Sequence, residues 1–118
     1  MPRKTIVIIV DGNHSIGLGH VYRAANLYRE LENLKLEIKF LTVNFIAKKI
    51  LTEKTHGTVI LADSFNDRIQ IIKRIKPDLV IIDSLKENTT LLVNLKKIPS
   101  LIIGIDYTGK NKKLLDYN

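Results

Sequence analysis

Short apolar runs alternate along this chain with segments whose apolar positions recur every three or four residues. Ile6-Val7-Ile8-Ile9-Val10 is an uninterrupted apolar run, and over residues 5–10 it predicts a strand buried on both faces, as in a parallel sheet. From His20 to about Asn33 the period is helical, with Val21, Ala24, Leu27, Tyr28, Leu31 and Leu34 on one face and Tyr22, Asn26, Arg29 and Asn33 opposite. An alternating strand is predicted over Glu37–Val43, a helix over about Phe45–Lys54 and a short strand over Thr58–Leu61. Ser64, with Asp67 three residues on, resembles a capping box. It opens a helix expected to bury Ile69, Ile72 and Ile75, to turn Arg68, Lys73, Arg74 and Lys76 outward, and to stop at Pro77. Leu79–Ile82 predicts a strand, Thr89–Lys97 a helix, and Leu101–Ile105, after Pro99, a last strand.

Five strands alternating with helices through right-handed crossovers build a doubly wound sheet. The expected fold class is therefore α/β: one Rossmann-like, three-layer domain over residues 1–118, with a five-stranded, mainly parallel sheet. A length of 118 residues with 45% hydrophobic side chains suits one core and one domain. Repeats, low-complexity tracts and linkers are absent from the sequence.

Charge changes this picture little. The net charge is +7, but the basic excess is spread over both halves of the chain, with no basic arm and no nucleic-acid motif, so no nucleic-acid partner is expected. Lys110, Lys112 and Lys113 form the densest basic cluster and read as a solvated tail. No apolar run approaches the roughly 20 residues of a membrane helix, and Met1-Pro2-Arg3-Lys4 leads into too few apolar residues for a signal peptide. With no cysteine for disulfides or thiolate metal sites, the expectation is a cytoplasmic protein without membrane insertion.

Chemistry concentrates after the first strand. Ile16-Gly17-Leu18-Gly19-His20-Val21-Tyr22-Arg23 forms a glycine-rich strand-to-helix turn, which brings backbone N–H groups and a helix dipole to one spot suited to anionic oxygens. His20 adds a titratable group and Arg23 a fixed positive charge one helical turn on. His20 also starts the apolar stripe that includes Leu27 and Leu31, which is the position of a core histidine. Arg23 stands at the edge of that stripe, placed either for a ligand or for pairing with Glu30 or a strand-end aspartate. Asp11, Asp63, Asp83 and Asp106 each follow an apolar run, so all four fall at the carboxyl edge of a parallel sheet, where open α/β sheets bind ligands. They read as caps of helices and turns rather than as Mg²⁺ ligands, and neither a metal nor a cofactor is expected. Asp11, nearest the glycine turn, is placed to orient a loop amide or His20.

Familiar glycine motifs do not fit. A dinucleotide fingerprint needs glycine or alanine where Tyr22 stands and an acidic residue after the second strand, where Thr42-Val43-Asn44 is found. A P-loop needs Gly-Lys-Ser/Thr where Gly19 is followed by His20-Val21, and a receiver domain needs paired acids where Asp11 is followed by Gly12-Asn13. What Asp11-Gly12-Asn13-His14-Ser15-Ile16-Gly17-Leu18-Gly19-His20-Val21-Tyr22-Arg23 does resemble is the Asp-x-x-x-x-Ile-Gly-x-Gly-His-x-x-Arg signature of the pseudaminic-acid-pathway UDP-sugar hydrolases. Related spore-coat polysaccharide and glycosyltransferase proteins of the GT-B fold share it. Leu79 to Asp83 is a second echo, and Ile103-Gly104-Ile105-Asp106 followed by Leu114-Leu115-Asp116-Tyr117-Asn118 a third.

The resemblance implies the N-terminal half of a GT-B fold. It also implies a hydrolase that releases UDP from a UDP-linked diacetamido-trideoxy hexose, in nonulosonic (pseudaminic-type) acid or surface polysaccharide biosynthesis. By the same resemblance His20 is the catalytic residue that activates water. Imidazole accepts a proton from water near neutral pH, and a helix N-terminus disfavours its cation. Asp11, Gly17, Leu18, Gly19, Arg23 and Tyr107 are the expected substrate-binding residues. The amides of the glycine turn would meet the departing diphosphate or sugar oxygens, and Tyr107 would stack on a sugar or base. GT-B enzymes work in a cleft between two Rossmann-like domains, so the expected partners are a UDP-sugar or phosphorylated sugar and a second GT-B-like half or a homodimer. A noncatalytic phospho-sugar-binding or partner-docking module, or a subunit of a split glycosyltransferase, is the alternative.

Overall fold

The computed structural model describes residues 3–11, 17–83, 89–105 and 114–117. Strand β1 (Lys4–Val10) lies at the centre of the sheet. Ile6 to Val10 are each at most 5% exposed, because β2 (Leu36–Thr42) pairs along one side, β4 (Leu79–Asp83) along the other, and helices cover both faces. A strand with no water-facing side needs an unbroken apolar run, and each such side chain contributes about 1.5–3 kcal/mol by burial. Strands β3 (Thr58–Leu61) and β5 (Leu101–Gly104) form the two edges, in the order β3-β2-β1-β4-β5. Every pair is parallel, where the sequence led us to expect a mainly parallel sheet.

Alternation along β1 divides the core. Ile6, Ile8 and Val10, with Ile38 and Phe40 of β2, meet α1 (Gly19–Leu31) and α2 (Phe45–Lys54) through Val21, Ala24, Ala25, Ala47, Ile50 and Leu51. Val7 and Ile9 instead meet α3 (Phe65–Ile75) and α4 (Thr89–Leu95) through Ile72, Leu91, Leu92 and Leu95. Three layers result, and the chain is a single Rossmann-like α/β domain. Among the described residues no helix is long and apolar enough to cross a membrane.

Some boundaries and faces differ from expectation. Helix α1 ends at Leu31 rather than near Asn33, so Leu34 falls in the following turn and is 57% exposed instead of continuing the stripe. Its innermost positions are Val21, Ala24 and Ala25, and Leu27, Tyr28 and Leu31 flank them half-buried. Ser64 does cap α3, its Oγ accepting from the Asp67 N–H at 3.2 Å. The helix closes at Lys76, in the left-handed region at φ 54°, whose N–H donates to the Ile72 carbonyl before Pro77. Arg68 is the clearest departure: expected on the outer face of α3, it is only 1% exposed.

The crossover through α1 lies on one face and that through α3 on the other, so the winding reverses between β1 and β4. Open α/β sheets bind their ligands at such a switch point, outside the carboxyl ends of the strands. Val10 of β1 and Asp83 of β4 are register partners at that edge.

Candidate functional site

Helix α1 starts at the switch point on unusual terms. Gly17 has φ +92°, a conformation that L side chains rarely adopt, and Leu18 occupies the N-cap without a side-chain cap bond. The Leu18 carbonyl accepts from the N–H groups of Val21 (3.0 Å) and Tyr22 (3.1 Å). The amides of Gly19 and His20 precede these first intrahelical bonds and lie at the positive end of the helix dipole. Among the described residues, a Cβ on Gly17 or on Gly19 would meet nothing within 4 Å.

His20 and Arg23, one turn apart on α1, converge on Asp83 at the end of β4. Arg23 forks onto the carboxylate, Nε donating to Oδ2 at 2.9 Å and Nη2 to Oδ1. Nδ1 of His20 meets the same Oδ1. An ionised carboxylate only accepts and a guanidinium only donates, so the arrangement is satisfied when Nδ1 carries its proton toward Asp83. The 3.1 Å between Arg23 Nη2 and His20 Nδ1 is then the spacing of two donors sharing one oxygen. That tautomer leaves the lone pair on Nε2. Asp83 is fully buried, whereas the side chains of His20 and Arg23 are 21% and 39% exposed. The imidazole is thus anchored inward at one nitrogen and is not sealed in the core.

Asp11 is held elsewhere. Its Oδ2 accepts from Nη1 of Arg68 at 3.1 Å, and its Oδ1 accepts from the Val43 N–H at 3.3 Å and the Thr42 hydroxyl at 3.5 Å. Burial pushes the Arg68 guanidinium below its ordinary value, and the neighbouring Asp11 carboxylate pulls it back up. Of the two roles open to Asp11, it takes the loop amide, and His20 is oriented by Asp83.

The glycine turn, His20 and Arg23 therefore come together, and Asp11 sits buried at the exit of β1 beside them. Tyr107 and Asp106 lie outside the described residues, as do Gly12 to Ile16 of the motif. Asp63 is exposed beyond β3, where it shares a shallow cavity of about 320 Å³ with Asp67, Gln70 and Arg74. Among the described residues no three His, Asp or Glu side chains group as metal ligands. Sequence reasoning placed Asp83 at the correct edge and read it as a cap. The signal that identifies its partner is strand order, because a doubly wound sheet sets β4 beside β1.

Comparison with known proteins supports the architecture. No family model matches the chain. An uncharacterized protein of Methanocaldococcus jannaschii is 38% identical over 104 residues, covering 86% of this chain and 21% of that protein. The chain thus spans about a fifth of the length of this curated relative. A glycosyltransferase from Rickettsia africae superposes with a TM-score of 0.61 at 13% identity, over 96% of this chain and 33% of that one. Homoserine dehydrogenase from S. aureus superposes with a TM-score of 0.53 at 17% identity, over 98% and 30% of the respective chains. At such identities the likeness establishes a shared Rossmann-like fold.

Proposed function

We propose that this chain is the water-activating half of a nucleotide-sugar hydrolase, acting on a UDP-linked diacetamido-trideoxy hexose in nonulosonic acid or surface polysaccharide biosynthesis. The observation that carries this reading is the seat of His20, with Nδ1 on the buried Asp83 carboxylate at the switch point of the sheet. In this scheme Nε2 takes a proton from water as the water oxygen bonds to the anomeric carbon. The bond from that carbon to the diphosphate oxygen breaks, its electron pair leaves with UDP, and the free sugar is the second product. Asp83 orients the ring and stabilises the imidazolium that forms.

The glycine turn supplies the complementary part. Negative charge builds on the departing diphosphate, and the amides of Gly17, Leu18 and Gly19 are the donors proposed to receive it. One such preorganised donor is worth about 3 kcal/mol in a reaction of this kind. Arg23 binds substrate by its charge while its fork holds Asp83, and Asp11 acts from behind the turn. Tyr107 keeps its proposed role in stacking on the sugar or base.

A Rossmann-like half offers one wall of a cleft, and a second half, from a partner chain or a second copy, is proposed to complete the nucleotide site. The shares of the M. jannaschii protein and of the R. africae glycosyltransferase that align with this chain, 21% and 33%, support a unit that works as part of something larger. They equally favour the alternative, a split glycosyltransferase subunit or a noncatalytic phospho-sugar-binding module. A panel of UDP-sugars, assayed for binding and for UDP release with and without a candidate second half, separates the readings. Release of UDP to water supports the hydrolase, and binding without release supports the module. Neither binding nor release by any member contradicts both.

A further inference from the structure

We infer that Arg68, reaching from α3 in the opposite helical layer, is a positioning residue that holds the glycine turn in place through Asp11. For its effect on ligand binding this role rests on the sugar-nucleotide reading given above.

Asp11 is the first residue beyond β1, where the chain leaves the sheet for the glycine turn. One carboxylate there joins three elements: β1 by its own backbone, the end of β2 through the Val43 N–H and the Thr42 hydroxyl, and the first turns of α3 through Arg68. The Asp11 and Arg68 side chains are 5% and 1% exposed. Stability alone is a poor reason for such a pair, because desolvating two charges offsets most of their attraction, and apolar residues of similar volume often serve as well. What an apolar pair lacks is direction. The guanidinium, the peptide N–H and the hydroxyl fix both oxygens of Asp11, and with them the point from which the chain sets out toward Gly17.

Among the described residues no side chain caps α1, and no atom lies within 4 Å of where a Cβ would stand on Gly17 or Gly19. Asp11 is held where the chain leaves β1, before the turn, and Asp83 holds His20 and Arg23 after it. Displacement by 1 Å at a positioned group can cost on the order of a hundredfold in rate. By fixing Asp11, Arg68 is inferred to bear on both the turn and His20.

The test replaces the pair in the full chain with apolar residues, Asp11→Leu with Arg68→Met, and follows three readouts. These are the melting temperature, the NMR signals of the Gly17, Leu18 and Gly19 amides and the His20 ring, and the affinity for UDP. The expected result is a melting temperature within a few degrees of the parent, displaced turn and ring signals, and UDP binding weakened at least about tenfold. Parent-like signals and affinity in the apolar pair overturn the inference, as does a loss of affinity that merely tracks a loss of stability. If the double variant does not fold, Arg68→Lys decides, since it keeps the charge and loses the fork. Displaced turn signals then support the role, and unmoved ones refute it. If the parent chain itself fails to bind UDP, the functional reading falls alone, and the signals still decide the positioning role.

Discussion

The Asp83 carboxylate at the end of β4 receives Nδ1 of His20, on α1, from 63 positions away in the chain. Neither residue is unusual by itself. Together they convert an imidazole at a helix start into one with a defined tautomer, and Arg23 supplies the counter-charge to the fully buried Asp83 carboxylate.

Asp83→Asn tests that relationship. The amide keeps the shape of the carboxylate but can offer its own N–H to Nδ1, which moves the ring proton to Nε2 and removes the base. UDP release is expected to fall by a factor of roughly 10²–10⁴, as when an orienting carboxylate is neutralised elsewhere. The accompanying loss of stability should be small, about 1–2 kcal/mol by denaturant titration, because the Arg23 side chain is 39% exposed and water replaces part of what it loses. Unchanged turnover contradicts the orienting role.

Two glycines of one motif should behave oppositely. Gly17→Ala forces an L side chain to φ +92° and is expected to cost about 1–2 kcal/mol in stability. At Gly19 a Cβ meets nothing within 4 Å among the described residues and φ is not positive, so Gly19→Ala should leave the melting temperature unchanged or slightly raised. UDP affinity should nevertheless drop in that variant, because the new methyl stands over the amides. Equal affinity in Gly19→Ala and the parent would remove those amides from the site.

Away from the site, Gly57 is required for packing. A Cβ there would lie 3.0 Å from ring carbons of both Tyr28 and Phe40, whose centroids are 5.8 Å apart. Gly57→Ala is expected to destabilise the fold by about 1–2 kcal/mol, the cost of overpacking, with UDP binding unaffected. Differential scanning calorimetry checks the first statement and a binding titration the second.

Leu34→Lys should do almost nothing. Leu34 continues the helical period of α1 on paper but is 57% exposed after the helix has ended. A change within about 0.5 kcal/mol is expected in chemical denaturation. A loss of several kcal/mol would mean that α1 extends as its sequence pattern suggests.

The particular residues explain why some of this was legible beforehand. Buried parallel strands tolerate little besides apolar side chains, so β1 and β4 are plain in the sequence, and the bounds of edge strand β3 and of α2 agree with expectation. The end of α1 was not legible, since Asn33 and Leu34 keep the period while the chain has already turned. Helical position alone misassigned Arg68, because its partner Asp11 lies 57 positions away and a periodic pattern carries no information about a charge paired at that distance. His20 and Arg23 were legible as a pair on one helix, and Asp83 as a strand end. Their meeting follows only once β4 is set beside β1.

The claim that His20 activates water is tested most directly by UDP release from a UDP-linked diacetamido-trideoxy hexose, comparing the parent with His20→Ala under conditions where the parent turns over. The account predicts a loss of at least about a hundredfold in release, with affinity for UDP held within a few-fold because the amides of the glycine turn remain. Release by His20→Ala at the parental rate would contradict it.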